Sequence, residues 1–286
     1  MTDIQRLGVV GAGLMGSGIA EVHARAGLDV TVTELSRHAL DAGKASIEKS
    51  LQRGVRSGKI AESDADAALG RLTFSTEIAD LADRDLVVEA IVEQEQAKVD
   101  VFRSLDKIVD RADAILATNT SSIPIMKLGM ATERPQQVVG IHFFNPVPVR
   151  PLVELVPSLL TGDDTVQRSQ DHVDTVLGKT VIRSQDRAGF IVNALLVPYL
   201  LQAIRMFESG FASAEDIDRG MELGTAHPMG PLRLADLIGL DTIKAISEAM
   251  YEEFKEPLNS APPLLLRMVD AGLLGKKTGR GFYNYG

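Results

Sequence analysis

A chain of 286 residues exceeds the usual length of one domain and predicts two, each with its own core. A hydrophobic content of 45% with 24% charged residues excludes a disordered or collagenous chain, and the net charge of -9 argues against nucleic acid as the main partner, because a phosphate-binding surface is basic. Cysteine is absent, which removes disulfides, thiol nucleophiles and thiolate metal ligands together and fits a reducing compartment.

The N-terminus runs from Met1 into a strand with no basic and then apolar leader, so a cytoplasmic protein is expected. The apolar strand Leu7 to Val10 is followed by Gly11, Ala12, Gly13, Leu14, Met15 and Gly16, and then by a helix reaching Ala26. In this strand, turn and helix, Gly11 permits the tight turn, Gly13 lets backbone approach a pyrophosphate, and Gly16 lets helix and strand pack closely. A second strand, Asp29 to Thr33, ends at Glu34, about where a dinucleotide site carries its ribose-binding acid. Glu34 repels a 2′-phosphate, which predicts NAD over NADP. Arg37 leaves two readings open: a partner for a 2′-phosphate, or a solvated arginine at a helix start.

From Leu40 to Lys59 the spacing predicts an amphipathic helix with Leu40, Ile47, Leu51 and Val55 on its apolar face. Lys49, Arg53 and Arg56 share the opposite face, with Lys59 just beyond. This cluster either binds a phosphate-bearing substrate arm or is a solvated face. Glu62 to Leu69 completes a helical hairpin over about residues 37–70. Strands at Leu72 to Phe74, Leu86 to Ile91 and Ala114 to Ala117, with a helix from Gln96 to Val109, then predict a parallel, doubly wound α/β sheet. Ligands bind at the carboxyl ends of such strands, where Glu93 and Lys98 follow one strand and Thr118-Asn119-Thr120-Ser121-Ser122 follows another. Alone, the latter run reads equally as a helix N-cap cluster.

The run Val138 to Ile141 delivers His142 at a strand end, and Phe143-Phe144-Asn145-Pro146 turns the chain. Leu152 to Val156 is apolar except for Glu154. A charge inside such a strand is costly unless paired, and His142 is the expected partner. A helix over Thr165 to Leu177 and a strand over Thr180 to Arg183 follow, and Ser184 to Ala188 reads as the domain boundary. Beyond it only helical patterns remain: Phe190–Phe207, Ala214–Leu223, Leu232–Leu237, Thr242–Phe254 and Pro263–Ala271. The expected division is therefore a Rossmann-like domain over 1–185 and an all-helical domain over 186–286. The longest apolar segment, Phe190 to Ile204, is interrupted by Asn193 and Pro198 and falls short of the roughly 20 residues a membrane span needs, so it reads as a buried helix. Leu195, Leu196, Tyr199, Leu200 and Ile204 suggest a homodimer interface as well as a core. His23, His38 and His172 read as structural or solvated, the last on a surface helix, and His227 as packing a turn. No His, Asp and Glu set has metal spacing, so no metal is expected.

With the glycine turn, N-T-S-S, H-F-F-N-P, L-V-E, G-F-I-V-N, H-P-M-G-P and G-K-K-T-G-R-G-F-Y in order, the chain resembles the L-3-hydroxyacyl-CoA dehydrogenase family along nearly its whole length. It is most similar to the short bacterial type, the 3-hydroxybutyryl-CoA dehydrogenases, and particularly to actinobacterial members. The resemblance implies interconversion of 3-hydroxyacyl-CoA and 3-oxoacyl-CoA with NAD. It makes His142 the catalytic base, Glu154 the residue that orients it, and Ser121 and Asn193 contacts of the reacting oxygen. It adds Glu93, Lys98, Asn119 and Lys277 to the cofactor site, and it assigns Ser50, Arg56 and Lys59 to coenzyme A. Imidazole suits removal of a hydroxyl proton near neutral pH. Two other functions stay in view: a dehydrogenase of free sugar acids of the gulonate type, and a catalytically silent NAD-binding structural protein. The basic arm separates the first from an acyl-CoA enzyme, and retention of Ser121, His142, Glu154 and Asn193 argues against the second.

Overall fold

The computed structural model describes residues 4–286, and the expected leaderless start at Met1, Thr2 and Asp3 lies outside them. Contacts divide the chain into two units, the first ending at Asp186 and the second beginning at Arg187.

In the first unit, aliphatic and β-branched runs form β1 (Arg6–Val10), β2 (Asp29–Thr33), β3 (Leu72–Ser75), β4 (Leu86–Glu89), β5 (Ile115–Thr118), β6 (Val138–Phe143), β7 (Leu152–Pro157) and β8 (Thr180–Arg183). They make one sheet in the order β3-β2-β1-β4-β5-β6-β7-β8. The strands from β3 across to β6 pair parallel, but β7 runs antiparallel to β6, and β8 follows β7. The expected parallel, doubly wound arrangement is present, with one antiparallel step between β6 and β7. Residues 144–151 are too few for a crossover helix, which takes about a dozen residues or more, so the chain reverses beside β6.

The connecting helices are α1 (Leu14–Arg25), α2 (Arg37–Arg56), α3 (Glu62–Gly70), α4 (Glu95–Ile108), α5 (Ile125–Gly129) and α6 (Asp163–Asp171). The chain leaves β1 for β2 and β3 on one side and returns to β4 on the other. The carboxyl ends of β1 and β4 therefore flank the switch point of the sheet, where doubly wound folds place their ligands.

The single helix expected over Thr165 to Leu177 is broken, because α6 ends at Asp171 and His172–Val176 forms a π-helical turn. His172 is buried rather than on the surface. It continues the inward face of Thr165, Val166 and Ser169, two of which are polar, so hydrophobic periodicity did not mark that face. Its ring stacks on His23 at 5.1 Å, and Phe143 meets His23 edge-on at 6.1 Å. Burial, with His172 and Lys179 nearby, pushes the His23 imidazole down to about 3 against an opposing hydrogen bond to the Ile19 carbonyl. In the unfolded chain the same ring titrates near its ordinary value, about 6.5. Above that pH both states are neutral; below it only the unfolded chain takes up the proton, so stability falls toward acid. Urea unfolding should show a loss of about 1 kcal/mol between about pH 7 and about pH 5.5 that is missing from His23→Asn. An equal loss in both proteins would assign the effect to other groups.

The second unit consists of α7 (Val192–Glu208), α8 (Ala214–Thr225), α9 (Pro231–Ile238), α10 (Leu240–Phe254) and α11 (Pro263–Asp270). Leu200, Leu201, Ile204, Leu232, Leu240, Ile243 and Leu265 form its centre. The helix expected at Phe190 to Ile204 forms, with Val197, Leu200, Leu201 and Ile204 buried. Helix α7 is amphipathic, keeps Pro198 inside it, and leaves Leu195 74% exposed, while Leu196 and Tyr199 are half-buried. His227 packs a turn, with Nδ1 3.2 Å from the Tyr199 hydroxyl. The C-terminal G-R-G-F-Y run is clasped by Asp236, which accepts from the Phe282 and Tyr283 amides at 2.9 Å each. A Cβ at Gly281 would lie 1.9 Å from Asp236 Oδ1, which explains the glycine there. Among the described residues no helix is long and apolar enough to cross a membrane.

Candidate active site

The glycine turn is built for close backbone approach. Gly11 has φ +103°, and a Cβ there would sit 2.6 Å from the Ala90 carbonyl oxygen. Gly16 packs against the turn itself, since its Cβ would lie 1.9 Å from Gly11 O. Gly13 is the N-cap of α1, no side chain caps that end, and a Cβ at Gly13 would meet nothing within 4 Å. The helix start is therefore open to an anion, with Leu14 exposed and Met15 half-buried beside it. The Ala12 amide donates to Glu34 Oε2 at 3.1 Å, which brings the carboxylate at the end of β2 to the turn. Arg37 lies 3.4 Å from Asp41 and both are exposed, which favours the solvated reading of Arg37. A pyrophosphate at Gly13 and a ribose at Glu34 fit this arrangement.

His142 and Glu154 face each other directly in the register of β6 and β7. Directly opposed residues of an antiparallel pair point to the same side of the sheet. His142 Nδ1 lies 2.7 Å from Glu154 Oε2, the carboxylate is fully buried, and the Phe144 ring stands 4.7 Å from the imidazole. The chain reverses after His142 through a cis Asn145–Pro146 peptide. Asn119, which follows β5, accepts from the Phe143 amide at 2.8 Å and so ties its loop to the strand carrying His142.

Ser121 lies in that same loop, and Glu93 holds the loop from beneath. The carboxylate accepts from the amides of Ser121 (2.9 Å) and Ser122 (3.2 Å) and from the Thr120 and Ser122 hydroxyls. Burial alone would raise the Glu93 carboxyl, but the Lys98 ammonium and the bonds from Thr120 and Ser121 outweigh it and hold the group below its ordinary value. Lys98 is itself only 1% exposed and bridges Glu93 to a second carboxylate, Glu89, at 3.2 and 2.6 Å. Sequence reasoning passed over Glu89. The signal was available, since Glu89 interrupts the apolar run of β4 as Glu154 interrupts β7, and the same cost argument applies.

The structure thus gathers His142, Glu154, Asn119, Ser121, Glu93 and Lys98 at the strand ends of the first unit. Asn193 and Lys277 belong to the second unit. Asn193 is half-buried in the first turn of α7, and Lys277 pairs with Asp241 at 2.6 Å. Of the expected coenzyme A residues, Ser50 contacts the buried Glu21, a carboxyl that burial pushes up while Ser50, Arg25 and Arg53 oppose the rise. Arg56 is exposed. Lys59 lines a cavity of about 400 Å³ together with Arg25, Arg71 and Lys179. These three cations went unnoticed because they come from separate segments, which no helical spacing rule joins.

Two family models match the chain: the 3-hydroxyacyl-CoA dehydrogenase NAD binding domain over residues 6–187 and the C-terminal domain of the same enzymes over 189–285. The chain is 61% identical to the 3-hydroxybutyryl-CoA dehydrogenase of Mycobacterium tuberculosis H37Rv over all of both chains. The crystal structure of M. tuberculosis FadB2 superposes with a TM-score of 0.98 at 61% identity over 99% of each chain. The (S)-3-hydroxybutyryl-CoA dehydrogenase PaaH1 of Ralstonia eutropha gives 0.93 at 44% identity, over 99% of this chain and 100% of the other. With both halves matched by one family and the glycine turn and His142–Glu154 pair in place, the chain belongs to the 3-hydroxyacyl-CoA dehydrogenases, a family of NAD-dependent dehydrogenases.

Proposed function

We propose that the protein interconverts 3-hydroxyacyl-CoA, foremost 3-hydroxybutyryl-CoA, and the corresponding 3-oxoacyl-CoA, acetoacetyl-CoA. The observation that carries this reading is the buried His142–Glu154 pair set across β6 and β7. Glu154 holds the Nδ1 side of the imidazole, so the exchangeable proton is handled at Nε2. In the oxidative direction His142 takes the hydroxyl proton of the substrate, and Glu154 stabilises the imidazolium that forms. In the reductive direction the imidazolium returns that proton to the developing alkoxide. Ser121, and Asn193 by family resemblance, hold the substrate oxygen. NAD(H) would be held by the Gly11 to Gly16 turn, Glu34, Glu93, Lys98, Asn119 and Lys277, and when bound it supplies or accepts the hydride.

In this reading residues 1–185 carry the cofactor and 186–286 serve substrate binding and pairing of two copies, with the exposed Leu195 side of α7 as the apolar surface. Ser50, Arg56 and Lys59 receive the coenzyme A moiety. Turnover of acetoacetyl-CoA with NADH, and none of gulonate with NAD, supports the assignment; the reverse pattern overturns it. For the arm, Arg56→Ala with Lys59→Ala should raise KM for acetoacetyl-CoA by about 3- to 10-fold at low salt, because a charge-assisted phosphate contact is lost. The same change should leave KM for acetoacetyl-pantetheine, which lacks the nucleotide phosphates, unaltered. Equal KM values for acetoacetyl-CoA in the two proteins would make the arm a solvated face.

A further inference from the structure

The buried carboxylate Glu89 has no role in the reaction as described above, yet the loop carrying Ser121 is built upon it. Glu89 is 0% exposed at the end of β4. Its Oε1 accepts from Lys98 Nζ at 2.6 Å and from the Ile91 amide at 2.7 Å, and its Oε2 accepts from the Thr118 hydroxyl at 2.7 Å. Thr118 Oγ1 accepts in turn from the Thr120 amide at 3.1 Å. On the other side, Lys98 continues to Glu93, and Glu93 takes the amides of Ser121 and Ser122.

Glu89 therefore reaches the 118–122 loop by two routes. One runs through Thr118 to the Thr120 amide, and the other through Lys98 and Glu93 to Ser121. Lys98 sits between the two carboxylates and touches both, so its position depends on the charge of each. A buried ammonium drawn by two carboxylates takes a fixed place between them, whereas one drawn by a single carboxylate moves toward it. Asn119 lies in the same loop and bonds the Phe143 amide, so a displaced loop also disturbs the strand end that carries His142.

We propose that Glu89 is a positioning residue for the reaction: through Lys98 and Thr118 it sets Glu93 and the Ser121 loop against His142. Lys98, besides its place in the cofactor site, accordingly acts as the bridge between two acids and passes the position of Glu89 on to Glu93. The consequence for chemistry rests on the 3-hydroxyacyl-CoA reading; the consequence for the loop does not.

The test is Glu89→Gln, which keeps the size of the side chain and one acceptor oxygen while removing the charge. Two measurements are made on the full chain: amide hydrogen exchange at Ser121 and Ser122, and steady-state kinetics with acetoacetyl-CoA. Exchange at both amides should quicken, kcat should fall about 10- to 100-fold, as expected for a misplaced contact to the reacting oxygen, and NADH affinity should weaken alongside, because Glu93, Lys98 and Asn119 also belong to the cofactor site. If the variant does not fold, Glu89→Gln with Lys98→Met removes the buried ammonium together with one of its two acids, leaves Glu93 held by the Thr120, Ser121 and Ser122 donors, and should loosen the same two amides. A lower melting temperature with exchange at Ser121 and Ser122 and kcat both at wild-type values would make Glu89 merely structural and overturn the proposal. Wild-type protein inactive on acetoacetyl-CoA would sink the functional reading instead, while the exchange experiment would still decide the role of Glu89 in the loop.

Discussion

Replacing His142 by Gln should lower kcat for acetoacetyl-CoA reduction by about 1,000-fold, within the range that positioned acid–base groups contribute. Glutamine is close to histidine in size, but it neither accepts nor delivers a proton near neutral pH. The glycine turn is formed by β1, α1 and the end of β2, apart from the β6–β7 pair that holds the dyad. NADH affinity, read by fluorescence titration, should therefore change by less than about twofold, which gives the pattern of a group used only in the transition state. Activity within about tenfold of wild type would remove His142 from the role of base.

The second large effect lies in the glycine turn, where two positions should fail in different ways. At Gly16 a methyl group would lie 1.9 Å from the Gly11 carbonyl oxygen. Backbone must move to admit it, at a cost of about 1–3 kcal/mol or more for overpacking, and the turn loses its shape as well. Gly16→Ala should lower the melting temperature and weaken NADH binding by about 100-fold, some 2.7 kcal/mol. At Gly13 a methyl group meets no protein atom within 4 Å, so Gly13→Ala should fold with wild-type stability. Its methyl group would occupy the space kept for the pyrophosphate and weaken NADH binding alone. Thermal melts paired with NADH titrations separate the two cases. Equal stability for both variants would contradict the packing account of Gly16, and unchanged NADH affinity in Gly13→Ala would contradict the phosphate account of Gly13.

Much of this was legible in the chain because it rests on local rules. The glycine spacing after an apolar strand and the single carboxylate inside Leu152 to Val156 are each readable within a dozen residues, and the position of Glu34 by its distance of about twenty from the glycine turn. The pairing of Glu154 with His142 followed from the cost of a lone buried charge, and the antiparallel register places them opposite each other. The direction of β7 was harder to see, because strand patterns look alike in either direction and only the short 144–151 connection carries the information. His172 misled because its inward face is marked by Thr165 and Ser169 rather than by aliphatic residues. Lys98 and Glu89 were unreadable as a pair. They are nine residues apart across a strand, a loop and a helix, and no periodicity reports such a contact. The cations beside Lys59 share that limit, since Arg25, Arg71 and Lys179 come together only in the fold.

The central claim is that His142 and Glu154 serve hydride exchange at C3 of an acyl-CoA ester, and labelled cofactor tests it most directly. Incubating the purified protein with acetoacetyl-CoA and NADH carrying deuterium at C4 of the nicotinamide, in each stereochemical form in turn, should give 3-hydroxybutyryl-CoA with one deuterium at C3 from one form only. The His142→Gln variant should give almost none in the same time. Consumption of acetoacetyl-CoA without label at C3, or full labelling by His142→Gln, would contradict the account.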